Sequence, residues 1–256
     1  MRKVQEGEWI KGKYRVLKGF PFVIGTLYYT ENHCGQDEVH TRFVHALDLH
    51  LVNSDFDVKS LLHRDEYVFF PIREVFADEK KGLLFQVFRR LEGTLLAHYL
   101  GTHAPLSLRE AISLGRKVVQ YLLRLYEVGQ FTLVHPQNMV LTSGRSLRFL
   151  YGGKKGELPK GFAGSVSGNT GVDRIYDTYT VGALLYQMLT GKNPMAQGLT
   201  IPSVSQYRQD CPDELVEFVQ QSISFDIHKR PQIEEIADFL DWMAERLEKR
   251  LEEKNE

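Results

Sequence analysis

The chain has 256 residues, 43% of them hydrophobic and 25% charged, with 32 basic against 33 acidic side chains. That length suits one large domain or two lobes sharing a core, and the composition is that of an ordinary globular protein. A net charge of −1 gives no global attraction to nucleic acid or to an anionic membrane, so neither is expected as a partner.

The N-terminal stretch lacks the apolar core of a signal peptide, and no run of 18 apolar residues follows it. A cytoplasmic chain with no membrane span is therefore expected. Strands dominate the first ninety residues. YRVLKGF (14–20), LYYTE (27–31), RFVHALDLHLV (42–52), YVFFPIREVFA (67–77) and GLLFQVFRR (82–90) are rich in aromatic and β-branched residues and are separated by turn signals. His33, Cys34 and His40 lie between the second and third of these. They find no second ligand pair at metal spacing, and Cys211 is far away, so two free thiols and no metal are expected. SDFDVKSLLH (54–63) is the one short helix of this half, with Ser54 as its cap.

After Gly93 the pattern turns helical. Residues 94–100 read as a short helix. Residues 106–128 carry an apolar stripe through Ala111, Leu114, Val118, Tyr121, Leu122 and Leu125, opened by the capping-box pair Ser107 and Glu110. Short strands are predicted at 139–141 and 147–151. A Gly/Lys/Ser-rich loop over 152–173 carries Lys154, Lys155 and Lys160, and it is a candidate surface for an acidic partner. Helices are predicted at 177–190, apolar nearly all round and stopped by Gly191, at 212–222 and at 233–252. In the last, Ile233, Ile236, Leu240, Met243, Leu247 and Leu251 form a seam. The charge-rich end after Ala244 is a candidate for partner binding or self-association.

Four fragments, in the family's order along the chain, resemble a protein kinase. FQVFRRLEGTLLAHYL (85–100) is similar to the last small-lobe strand, hinge and first large-lobe helix. DTYTVGALLYQMLTGKNP (177–194) resembles the buried central helix, with Asp177, Tyr179, Thr180 and Gly182 in the family's order. DIHKRPQIEEI (226–236) matches D-P-x-x-R-P at Asp226, Arg230 and Pro231. LVHPQNMVLTSGRSLRFLYGG (133–153) has the layout of H-R-D-L-x-x-x-N followed by D-F-G. The resemblance implies an α+β, two-lobed protein-kinase-like fold over residues 1–256. A small antiparallel-sheet lobe with one short helix would cover 1–90, and a larger, mainly helical lobe 91–244. A charged helical extension would cover 245–256. Asp177, Gly182 and Arg230 would be structural, with Asp173 a candidate partner of Arg230.

The same alignment leaves most of the chemical groups missing from the catalytic positions. Phosphoryl transfer in kinases is positioning and charge neutralisation. Leu133 stands for the base Asp, His135 for the usual Lys, and Tyr151 for the metal-binding Asp, with Asn138 alone retained. The best placement of V-A-I-K, on 45–48, puts Asp48 at the Lys. The phosphate loop keeps only Gly25 of its glycines, with Phe20 and Phe22 in place of the others. A neutral amide beside a phenol does not answer the charge of Mg–ATP. The expected function is therefore that of a pseudokinase, a non-catalytic scaffold, binding or regulatory module for a protein partner, without cofactor. The alternatives are an atypical serine/threonine kinase or a nucleotide sensor. The sensor would bind ATP without Mg through weak candidates Gly25, Asn138, Phe88 and Arg89. VHPQN (134–138) also shares H-P-x-N with aminoglycoside-type phosphotransferases, but not their Asp.

Overall fold

A computed structural model of the chain describes residues 4–33, 39–53, 55–90, 92–144, 146–160, 170–196 and 200–252. Cys34 and Ser54 lie outside the described residues. The elements in chain order begin with β1 (Trp9–Ile10), β2 (Tyr14–Pro21), β3 (Thr26–His33), β4 (Val39–Asp48), β5 (Ile72–Asp78), β6 (Leu83–Phe88) and β7 (Thr94–Leu95). There follow α1 (Leu96–His103), α2 (Leu108–Glu127), β8 (Gln130–Thr132), β9 (Met139–Leu141), β10 (Leu147–Phe149) and β11 (Gly152–Lys154), then α3 (Thr170–Thr190), α4 (Asp213–Ser222) and α5 (Ile233–Glu252). Contacts divide the chain into two compact units. One comprises Met1–Gly93, Gly129–Leu133 and Val140–Gly168; the other comprises Thr94–Val128, Val134–Met139 and Asn169–Glu256.

The first unit is built on a six-stranded antiparallel sheet in the order β1-β2-β3-β4-β6-β5. Side-chain alternation on β4 sends Val44 and Ala46 to one face, where they join Tyr14, Val16, Tyr28, Phe85 and Val87 in a core closed by Val4 and Ile10. The edge is tied by Glu74, which accepts from Lys11, Lys13 and the Tyr14 hydroxyl. Partial burial works against its charge, but those donors hold the carboxyl down at about 2.

Several expected elements are shifted. The strand predicted from Tyr67 begins at Ile72, because Pro71 has no N–H for a ladder. Before it, Phe69 and Phe149 instead form an isolated parallel bridge. The strand predicted to Val52 ends at Asp48, whose carboxylate accepts from His50 N–H at 2.9 Å and starts a 3-10 turn, Leu49–Leu51. The short helix is a 3-10 helix, Val58–His63, capped by Asp57. Six residues are too few to recover the cost of nucleating an α-helix.

The basic loop is also partly structured. Gly152–Lys154 pairs with β8, and Lys154 meets Glu157 at 3.4 Å. Lys160 is buried, its ammonium 5.9 Å from the Phe131 ring centre, so it is not a solvated loop cation. Residues 161–169 lie outside the described ones.

In the second unit, α2 packs on α5 and α3, and α3 on α4. The Ser107 hydroxyl accepts from Glu110 N–H at 3.2 Å, half of the expected capping box; the Glu110 carboxylate takes the Tyr99 hydroxyl instead, at 2.6 Å. Residues 94–95 are strand before α1 begins. The central helix α3 starts at Thr170 rather than Asp177. Gly182 lets α3 lie close against α4: a Cβ there would lie 2.5 Å from that of Ser222. Helix α5 has the expected bounds, with Ile233, Ile236, Leu240 and Met243 buried. Past Ala244 it still has intramolecular work. Leu247 lines a groove with Arg109, Ile112 and Arg116 of α2, and Arg246 pairs with Glu214 of α4 at 2.6 Å. The Leu251 side chain is outside the described ones. Among the described residues no helix is long and apolar enough to cross a membrane, and no group of three metal-ligating side chains occurs.

Candidate functional site

In the first unit the side chains of β4 opposite Val44 and Ala46 are His45 and Leu47, and His45 reaches the site. Its ring stands edge-on to Tyr151, with centres 5.5 Å apart. Asp48 is at the far end of the strand, occupied with the His50 amide. The β4 residue that faces Tyr151 is therefore His45, three positions before the expected Asp48, because Asp48 shares a face with Ala46 and not with His45.

His45 is fully buried and hydrogen-bonded at both nitrogens. Nε2 lies 2.6 Å from the Ile24 carbonyl, and Nδ1 lies 3.2 Å from the Gln86 amide nitrogen. A carbonyl can only accept, so Nε2 carries the proton and Nδ1 accepts from Gln86. Burial, with Arg64 nearby, pulls the imidazole down to about 4 against the Ile24 bond, so it is neutral at pH 7.

The turn after β2 is drawn onto this strand. Ile24 is held by His45, the Phe22 ring lies 5.0 Å from the imidazole, and Phe22 N–H donates to Gly25 O at 3.3 Å. Phe20 is exposed beneath the Lys18 ammonium. Gly25 has φ +80°, and a Cβ there would lie 2.2 Å from the Ala46 carbonyl oxygen. Its backbone is thus used for close approach to β4. Gly25→Ala is expected to cost more than about 2 kcal/mol, from left-handed strain plus the clash. A urea titration showing a loss under half of that would contradict the packing described.

Tyr151 is fully buried. Its hydroxyl donates to Pro159 O at 2.7 Å, and its carbonyl accepts from the Thr132 hydroxyl at 2.7 Å. Burial drives the phenol well above its ordinary value, so it stays protonated. Leu133 is buried. Arg64 follows the 3-10 helix and donates to the carbonyls of Leu150, Gly152 and Phe70 at 2.7, 3.2 and 3.0 Å. Phe88 is buried edge-on to Phe70, and the exposed Arg89 gives its N–H to Pro71 O.

In the second unit, His135 caps the turn Pro136–Asn138 by accepting from Gln137 N–H at 3.2 Å, and partial burial lowers its pKa. Asn138 is fully buried in that turn. Asp177 accepts the Tyr126 hydroxyl at 2.7 Å inside the helix. Arg230 donates to the carbonyls of Ser224 and Ile175 and lies 4.8 Å above the Tyr179 ring. Carbonyls and a ring thus meet it where Asp173 was the expected candidate.

No protein-family model matches the sequence. Among solved structures, the chain is similar to the kinase domain of Mycobacterium tuberculosis PknI, with a TM-score of 0.63 at 17% identity over 94% of this chain and 99% of that one. Another crystal structure of that domain gives 0.64 at 18% identity over 94% and 99%, and a point mutant gives 0.65 at 17% over 95% and 100%. The chain has a protein-kinase-like fold. Identity this low carries the fold and nothing of the activity.

On this kinase-like fold, the side chains gathered around Tyr151 in the first unit are an imidazole held neutral, a phenol held neutral and a guanidinium bound by carbonyls. Mg²⁺ is ordinarily held by hard oxygens, one or two of them carboxylates, and neither Tyr151 nor His45 supplies one. Three participants went unnoticed in the sequence: His45, Gln86 and Arg64. The first two left a signal, since each is a polar residue inside an apolar run and they are direct cross-strand partners. Arg64 left none, because nothing local marks an arginine for burial.

Proposed function

We propose that this kinase-fold chain works without phosphoryl transfer, as a binding or regulatory module for a protein partner. The observation that carries this reading is Tyr151. At the position aligned with the metal-binding aspartate stands a neutral, fully buried phenol whose hydroxyl is committed to Pro159 O. The neutral His45 beside it adds no charge for a phosphate, and the turn bearing Gly25 is bound to β4 instead of arching free. Leu133 has no proton-accepting group. Nucleic acid is not part of this reading, given the balanced charge. A cytoplasmic setting and self-association through α5 belong to it only as proposals, and the seating of Leu247 against α2 leaves less of the seam for a second copy.

The test is thermal unfolding with ATP and ADP, each with and without Mg²⁺, beside a labelled-ATP transfer assay. A ligand raises stability by RT ln(1 + [L]/Kd), so even weak binding registers. No shift and no transfer are expected. A metal-independent shift with either nucleotide would favour the sensor reading through the hinge. Steady, metal-requiring labelling of a hydroxyl would establish an atypical kinase and end the proposal.

A further inference from the structure

Arg64 is 7% exposed, and burial pulls its guanidinium down to about 9. Three of its five N–H groups go to carbonyls, and its flat face lies 4.5 Å from the Phe69 ring centre. Among the described residues it makes no ion pair, and Nε–H and the second Nη2 hydrogen carry no hydrogen bond. A buried cation met by carbonyl dipoles and a ring face, with no ion pair, is costly; a carboxylate is the partner that matches its donors in charge and geometry.

The same side chain lines a cavity of about 220 Å³ in the first unit, walled by Leu61, Leu62, Phe69, Phe70, Pro71 and Ile72, with Glu66 and Arg89 also at its wall. That is about seven waters' share of liquid volume. Glu66 and Arg89 carry opposite charges, so the wall as a whole keeps one positive charge, beside the apolar side chains of Leu61, Phe69, Phe70 and Ile72. We propose that this pocket binds a small free carboxylic acid with a compact apolar body, its carboxylate on Arg64 and its body against Phe69, Phe70 and Ile72. A doubly charged phosphate would bring one charge too many into the same walls.

The experiment is thermal unfolding of the full chain with benzoate and isobutyrate, each against its neutral amide at equal concentration and ionic strength, followed by the NMR signal of the Arg64 Nε–H. Both acids are expected to raise the melting temperature with concentration and to shift that signal, while the amides do neither. Leu62→Trp, which fills the mouth from a half-exposed position and leaves Arg64 in place, should melt like the parent and lose the response. A glutamyl peptide blocked at both ends is too large for the chamber and should have no effect. Equal response to acid and amide, no response to either acid, an undiminished response in Leu62→Trp, or a stronger response to the peptide would each overturn the assignment.

Discussion

Replacing Tyr151 by aspartate, the residue that D-F-G would place there, is expected to unfold the first unit rather than rebuild a metal site. The substitution removes a fully buried ring that stands edge-on to His45 and Phe131. Deleting a buried aromatic costs about 3–5 kcal/mol. It also leaves a carboxyl among apolar neighbours, which adds several kcal/mol or forces the group to stay protonated. The total stability of a domain is about 5–15 kcal/mol, so Tyr151→Asp should show little cooperative unfolding. Tyr151→Phe keeps the ring and removes only the bond to Pro159 O, at about 1–2 kcal/mol. Urea denaturation followed by circular dichroism separates the two. An aspartate variant that melts near the parent and gains Mg-dependent nucleotide binding would mean that the site had kept its capacity and lost only one ligand.

That asymmetry follows from how Tyr151 is packed. A catalytic centre missing one group still has room for it. Here Phe22 and Tyr151 lie against His45, Phe131 lies against Tyr151, and hydrogen bonds from His45 and Tyr151 fix the carbonyls of Ile24 and Pro159. An aspartate at position 151 would have to reopen this packing, which is why that substitution is expected to lose stability without gaining activity.

The sheet, α2 and α5 were legible because their signals are local: β-branched and aromatic runs between turns, Ser107 ahead of an apolar stripe, and a seam from Ile233 onward. The site was legible only as a list of departures from the kinase signature. Aligning β4 on Ala46 put Asp48 two positions along the same face, and only the paired sheet shows that this face is the core of the first unit. The opposite face belongs to His45. The start of α3 was hidden because residues 170–176 carry Gly171 and two charges, Asp173 and Arg174, that read as loop. Tertiary contacts support them, with Arg174 over the Tyr126 ring and paired with Glu234.

Acid is expected to loosen the first unit through His45. The free imidazole titrates near 6.5 and the folded one near 4, so between these values the unfolded chain binds the extra proton. Stability is then complete above about pH 6.5 and falls as the pH drops toward 4, by about 3 kcal/mol over the window. Protonation would put charge on a fully buried ring near Arg64 and take away the lone pair that accepts from Gln86. Glu74, held at about 2, acts in a lower window, since its contribution fades only as the pH falls from the free carboxylate value of 4.5 toward 2. His45→Gln keeps a polar side chain and removes the titration. The difference in unfolding free energy between parent and variant, measured by urea titration at pH 7 and pH 4.5, should shrink on acidification by roughly the amount assigned to the imidazole. If it stays constant across that range, His45 does not hold a displaced proton equilibrium, and the neutral, doubly bonded imidazole that ties Ile24 and Gln86 to β4 is wrong.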